Sequence, residues 1–244
     1  MQLLWKDGTK MNDFNNISNV NPSIIRSVSN QQEEILNFIK TLYCPEGFEC
    51  DITFGKGNFW RKIMRPKLSF DIEPLKPNVV KASSTCLPLE ADSMGNIVFD
   101  PPFITYVKNG RQGNNAKTGM RMAQQFGGYW SYNELETHYK QTLTEVSRIL
   151  KPKGILVFKC QDIIHNHKMF CTHTNIINWA KNDGLELEDL FILLGKNRFP
   201  KPNKTGKQQH ARVSHSYFLV FRKTGKLNKK MGLGTITSKT SLVY

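Results

Sequence analysis

The chain has 244 residues, enough for one sizeable α/β domain and little more, and its 34 Lys and Arg against 20 Asp and Glu leave it +14 at neutral pH. That excess attracts polyanions and makes nucleic acid the favoured partner. No stretch approaches the roughly 20 apolar residues of a membrane span, and Asp7, Asn12, Asp13 and Asn15 break up the N-terminus so that it lacks a secretory core. Cys44, Cys50, Cys86, Cys160 and Cys171 are odd in number and irregularly spaced. They read as reduced thiols of a soluble, cytoplasmic protein.

Residues 1–28 show no period and read as a loosely ordered arm. A helix is expected from Ser29, whose hydroxyl can cap it, with Ile35, Leu36, Phe38, Ile39 and Leu42 forming one apolar stripe. A βα alternation follows. Phe48–Thr53 is a short strand running into a glycine turn, Phe59–Met64 a helix start, Leu68–Asp71 a second strand, Asn78–Ala82 a third and Asn96–Phe99 a fourth. Residues 104–130 form a long polar insert with five glycines. A helix from Ser131 to Leu150 comes next, with Ser131 as its cap and Glu134 completing a capping box; Lys151-Pro152-Lys153-Gly154 stops it. Ile155–Phe158 is apolar throughout, as in a central parallel strand. A helix over Met169–Lys181 leads to a strand at Asp189–Leu194, a basic insert over 195–213 and a last strand at Tyr217–Phe221. No helix fits between those last two strands, so they should pair antiparallel. The tail over 224–244 is basic and without period, and reads as flexible.

Two turns carry chemistry. Asp51-Ile52-Thr53-Phe54-Gly55-Lys56-Gly57 sits where the first strand leaves the sheet, and its glycines allow close approach of a ligand to the backbone. Asp71 ends the next strand, where a carboxylate can accept from ribose hydroxyls, with Glu73 as the alternate. The second turn is Asp100-Pro101-Pro102-Phe103, at the carboxyl end of the fourth strand. The prolines stiffen it and strip it of N–H donors, so the Asp100 carboxylate and the Pro101 carbonyl are left as acceptors for an exocyclic amine, and Phe103 can stack on the ring that bears it. Methylation of a ring carbon needs a cysteine, usually following a proline at this strand end, and none stands there. Neither a nucleophile elbow nor a P-loop occurs. His165, His167, Cys171 and His173 crowd together but match no zinc-finger spacing, so no metal is assigned. Lys159 and Asp162, near the end of the fifth strand, either line the substrate cleft or pair with each other.

On these motifs the chain resembles class I S-adenosylmethionine-dependent amino-methyltransferases, of the DNA adenine-N6 type found in phages and restriction-modification systems. The likeness spans roughly residues 30 to 223. It implies a Rossmann-like methyltransferase fold, a seven-stranded, mostly parallel sheet with an antiparallel C-terminal hairpin, in a domain over 29–223. It further implies that Asp51, Thr53, Gly55, Gly57, Asp71, Glu73 and Ser83 serve S-adenosyl-L-methionine and that Asp100, Pro101, Pro102 and Phe103 hold the target amine. Ser83 stands where the family often has an Asp facing the cofactor's adenine, which weakens that hydrogen bond. A separate target-recognition domain is missing, so the inserts 104–130 and 195–213 are the segments large enough to read a sequence. Tyr106, Lys108, Arg111 and Trp130 in the first, and Lys196, Arg198 and Arg212 in the second, are the candidates for nucleic-acid contact. The resemblance favours adenine N6 in DNA, in a bacterial, phage or prophage setting. The alternatives are an RNA methyltransferase acting on adenine N6 or guanine N2, and a catalytically inactive nucleic-acid-binding subunit. A homodimer or a heteromeric partner is left open.

Overall fold

Successive side chains of a strand face opposite sides of its sheet, so a strand that is apolar throughout needs cover on both faces. In a computed structural model of the protein, which describes residues 24–105, 128–129, 131–195 and 209–225, the central strands have that cover. The elements in chain order are β1 (Val28–Ser29), α1 (Gln32–Tyr43), β2 (Cys50–Asp51), β3 (Leu68–Asp71), β4 (Val80–Lys81), β5 (Met94–Phe99), α2 (Tyr132–Ile149), β6 (Leu150–Cys160), β7 (Ile163–His165), β8 (Lys168–Phe170), α3 (Thr172–Asn182), β9 (Leu185–Leu194) and β10 (His215–Lys223). Ile97, Phe99, Leu156, Phe158, Leu219 and Phe221 face α2 and α3, where Leu135, Tyr139, Leu143, Val146, Ile176 and Ala180 meet them. Val98, Ile155, Val157, Phe218 and Val220 face the other way, onto Ile35, Leu36 and Ile39 of α1. Each such side chain contributes about 1.5–3 kcal/mol on leaving water.

The main sheet runs β1-β9-β10-β6-β5-β2-β3-β4. Only β10 is antiparallel to its neighbours, β6 and β9, and the other pairings are parallel. This is the mostly parallel sheet with an antiparallel C-terminal hairpin that the sequence implies, with an eighth strand added. The extra strand is β1, whose Val28 and Ser29 pair with Ile192 and Leu193. Ser29 therefore belongs to the sheet rather than capping α1: its hydroxyl accepts from the Gln31 amide at 2.9 Å and donates to Glu34, and α1 begins at Gln32 behind an extended Gln31. Ser131, by contrast, does cap α2, accepting from the Glu134 amide at 3.3 Å.

Two other expectations are corrected. The helix start at Phe59–Met64 is only a 3-10 turn over Asn58–Trp60. The helix placed at Met169 begins at Thr172, because Ile163–His165 and Lys168–Phe170 fold into a small hairpin first. Its two-residue turn, Asn166 and His167, has φ of 49° and 56°, the left-handed pair that matches strand twist and that sequence usually signals with Asn-Gly. All five cysteines are free; Cys44, Cys50 and Cys160 are buried, and Cys86 and Cys171 exposed. Among the described residues no helix is long and apolar enough to cross a membrane.

Asp51 ends β2 facing inward, 1% exposed. Its Oδ2 accepts from the Trp60 indole N–H at 2.6 Å and its Oδ1 from the Thr53 amide at 2.8 Å. It thereby braces the glycine turn from within. Burial lifts its pKa from 3.8 to about 7, the charges of Asp100 and Asp71 add to the rise, and its two hydrogen bonds oppose it.

Because the folded protein holds the Asp51 proton to a higher pH than the unfolded chain does, this stabilisation is complete below the unfolded value of 3.8 and is lost as pH rises toward about 7. Asp51→Asn, which is neutral throughout, should flatten the fall in unfolding free energy over that range; urea titrations at several pH values measure it, and parallel curves would remove Asp51 as the cause. His167→Gly should stabilise the fold by up to about 1 kcal/mol by relieving the left-handed backbone at that turn. Thermal unfolding measures this, and an unchanged or lower midpoint contradicts it.

Candidate active site at the carboxyl edge of the sheet

Because β2 through β6 run parallel, their carboxyl ends lie along one edge. The chain works outward from the β2–β5 boundary in both directions, which makes that boundary the switch point where open α/β sheets leave a crevice. The two motif turns flank it. Thr53, just beyond β2, accepts a hydrogen bond on Oγ1 from the Asp100 amide, just beyond β5, at 2.9 Å.

The glycine turn is fixed from β3. The Gly55 amide donates to Asp71 Oδ2 at 2.7 Å, and the Glu73 amide donates to Asp71 Oδ1 at 2.9 Å. Each carboxylate oxygen retains a lone pair, so half-buried Asp71 keeps acceptor capacity, while the Glu73 side chain stands exposed. Gly57 has φ of 74°, and a Cβ there would lie 2.9 Å from the Phe54 ring; only glycine fits. At Gly55, with φ of 53°, the space a Cβ would enter is open. Ser83 lies half-buried two residues beyond β4, its hydroxyl sharing a hydrogen bond with the Thr85 hydroxyl at 2.8 Å.

The second turn is held from α2. Tyr139, fully buried, donates its hydroxyl to the Pro102 carbonyl at 2.9 Å, with its ring edge-on to Phe99 and Phe158. Pro101 is buried, and Pro102 and Phe103 are half-buried. Phe103 borders a cleft of about 390 Å³ that also meets Gln32, Lys159, Gln161, Leu193 and His215. The Asp100 side chain keeps 23% of its surface exposed, and Lys159 Nζ lies 3.5 Å from its Oδ1. Burial pushes the Asp100 carboxyl above the usual range and Lys159 draws it back. What results is a carboxylate with a rigid carbonyl-bearing turn at the lip of a cleft, beside a glycine turn with open backbone. Such a site can accept from an amine and hold a nucleotide-like ligand next to it.

Of the two readings of Lys159 and Asp162, the structure rejects their pairing. Lys159 goes to Asp100, while Asp162 accepts from His173 Nδ1 at 2.7 Å and from the Tyr217 hydroxyl at 3.2 Å. That bond engages His173, and His165 Nδ1 lies 3.1 Å from the Thr105 hydroxyl. Among the described residues no His, Cys, Asp or Glu group is arranged to hold a metal ion. Arg212 is exposed, three residues before β10. Tyr106, Lys108, Arg111, Trp130, Lys196 and Arg198 lie outside the described residues.

Two site residues escape sequence reasoning. Tyr139 falls on the apolar stripe of α2, four residues from Leu135 and from Leu143, and looks like simple core; the signal is its hydroxyl, which needs a partner once buried. Gln32, the first residue of α1, sends its amide nitrogen to the Phe59 carbonyl at 3.1 Å and its carbonyl to Lys159 Nζ at 3.0 Å. No local pattern marks it.

Among solved structures, an S-adenosyl-L-methionine complex of a protein assigned as a DNA modification methylase from Thermus thermophilus aligns over 59% of this chain and 51% of its own, with 18% identity and a TM-score of 0.37. The PvuII DNA methyltransferase, cytosine-N4-specific, aligns over 56% and 45% with 16% identity and a TM-score of 0.39. A methyltransferase in complex with the Trm112 activator of Haloferax volcanii aligns over 73% and 82% with 13% identity and a TM-score of 0.43. The chain thus spans about half the length of the Thermus protein. Likenesses this shallow bear no weight for the site. No curated protein sequence matches the chain. The model of one sequence family, described as DNA methylase, matches residues 95–241. That stretch starts at the strand leading into Asp100 and takes in well over half of the 244 residues, so the chain belongs to the DNA methylase family, whose methyl donor is S-adenosylmethionine.

Proposed function

We propose that the protein methylates an exocyclic base amine in DNA, adenine N6 before cytosine N4, with S-adenosylmethionine as donor. The observation that carries this reading is the Asp100-Pro101-Pro102-Phe103 turn, joined through the Thr53 hydroxyl to a glycine turn that Asp71 supports. The first residue of the target turn is an acid, as in adenine enzymes, where many cytosine-N4 enzymes have serine. Bound along the edge, S-adenosylmethionine supplies an electrophilic methyl carbon on a sulfonium. The residues present fit it: Gly55 offers backbone with free space beside it, Asp71 can accept from ribose hydroxyls, and Ser83 with Glu73 stands further along the same edge.

At the target the Pro102 carbonyl is engaged by Tyr139, so Asp100 and the Pro101 carbonyl are the acceptors for the two amine N–H groups. Accepting those two hydrogen bonds turns the nitrogen lone pair out toward the methyl carbon and fixes the line of attack. Phe103 stacks on the extruded base. The net charge of +14 supports a polyanionic partner. The inserts 104–130 and 195–213 are the proposed readers of sequence, and the basic tail over 224–244 a contact to the phosphate backbone. A cytoplasmic setting, in a bacterium or a phage-infected cell, accords with this reading.

Incubation of the protein with labelled S-adenosylmethionine and duplex DNA, followed by nucleoside mass spectrometry, should yield N6-methyladenine. N4-methylcytosine would move the specificity to cytosine, label in RNA alone would overturn DNA as substrate, and absence of both label and cofactor binding would mark an inactive subunit. Asp100→Asn keeps the amide that Thr53 accepts from and removes the charge; it should abolish transfer while calorimetry finds cofactor affinity near the wild-type value. Equal loss of both would make Asp100 structural. Phe103→Ala should weaken substrate binding by about 1–3 kcal/mol, the range for a base stacked on an aromatic ring.

A further inference from the structure

Lys159 is held from four directions. It projects from β6 with its side chain 13% exposed and Nζ 3.5 Å from Asp100 Oδ1, takes the Gln32 side-chain carbonyl of α1 at 3.0 Å, and lies over the rings of Phe59 and Phe218 at 5.3 and 5.6 Å. Phe59 belongs to the 3-10 turn that follows the glycines, and its carbonyl accepts from the same Gln32. A flexible lysine gains such a set of contacts at an entropic cost, and the contacts leave its ammonium pointed at one carboxylate oxygen.

We propose that Lys159 is the positioning residue of the target turn, tying back Oδ1 of Asp100 so that Oδ2 is the oxygen presented to the amine. The inference rests on the functional reading above for its consequence in turnover, but the pairing itself is independent of it. The other titratable groups acting on Asp100 are the Asp51 carboxyl at the end of β2, which has Asp71 beyond it, and the Tyr139 phenol of α2. Burial is what favours protonation of Asp100, the phenol carries no charge at neutral pH, and Lys159 is the cation opposing the effect of burial. A protonated Asp100 loses an acceptor, so the amine would no longer be turned toward the methyl carbon. Transfer would form the N–C bond as the donor's C–S bond breaks, with the C–S electron pair staying on sulfur and the surplus amine proton passing to solvent water in the cleft; Lys159 would act on it only through the position of Asp100.

The test measures Asp100 directly. Carboxyl ¹³C titration, with the Asp100 signal assigned by its loss in Asp100→Asn, should show the midpoint rising by about one pH unit or more in Lys159→Met and staying near wild type in Lys159→Arg. An unchanged midpoint in Lys159→Met overturns the proposal, whether or not the protein methylates DNA. Where DNA methylation is detected, the acid limb of the kcat profile should move up with that midpoint, with transfer recovering at higher pH and cofactor affinity preserved. A kcat lowered equally at every pH would also overturn it. Should Lys159→Met unfold, Gln32→Leu removes one tether and keeps the charge; it should raise KM for DNA or lower kcat without moving the Asp100 midpoint, and a variant indistinguishable from wild type would contradict the tethered geometry.

Discussion

The Asp100 amide is the last N–H that β5 offers before two prolines, which have none. A donor at a strand end needs a partner, and the backbone of β2 has already turned away at Thr53. The Thr53 hydroxyl fills the gap at 2.9 Å. One side chain therefore decides that the glycine turn and the proline turn leave the sheet side by side, and the separation between the two ligand positions is set there. The bulk of the fold secures this arrangement from below, with Val98 packed toward α1 and Ile97 and Phe99 toward α2 and α3.

Bringing three acids to adjacent strand ends creates a problem of like charge, which the structure handles differently at each. Asp51 is sealed from solvent, retains its proton up to about pH 7 and is capped by Trp60 and the Thr53 amide. Asp71 receives the Gly55 and Glu73 amides, one on each carboxylate oxygen. Asp100 is partly buried and has Lys159. Three carboxylates of the same chemistry thus take separate tasks: one braces a turn, one supports it while facing the edge, and one pairs with a lysine that lines the cleft. Environment rather than residue type makes the distinction.

Much of this was legible in the residues themselves. The all-apolar runs at Ile155–Phe158 and Tyr217–Phe221 announce central strands because nothing else buries both faces, and the missing crossover before Tyr217 forces the antiparallel pair. The acid and prolines at Asp100–Pro102 and the glycines at 55 and 57 mark the site because they meet local backbone demands. What sequence could not supply are properties of distant contacts. The indole of Trp60 gives Asp51 a bracing contact that no local pattern shows, and Lys159 reaches Asp100 rather than its near neighbour Asp162 because its strand lies beside β5. The β7–β8 hairpin was missed for a local reason: its turn uses Asn-His where glycine is the usual signal. Val28 and Ser29 are too few for any periodicity to identify them as a strand.

That short first strand has a second consequence. It lies on the outer side of β9, and at the opposite margin the sheet ends in β4, also two residues long and carrying Lys81. The long ladders of β6 and β10 are enclosed between neighbours, whereas β1 pairs only with Ile192 and Leu193 and leaves the rest of the outer edge of β9 without a strand partner among the described residues, along a run that carries Glu186, Glu188 and Asp189. Acidic side chains spaced along that open edge repel a like strand of a second molecule, which protects a strand-rich core from edge-to-edge aggregation at high concentration.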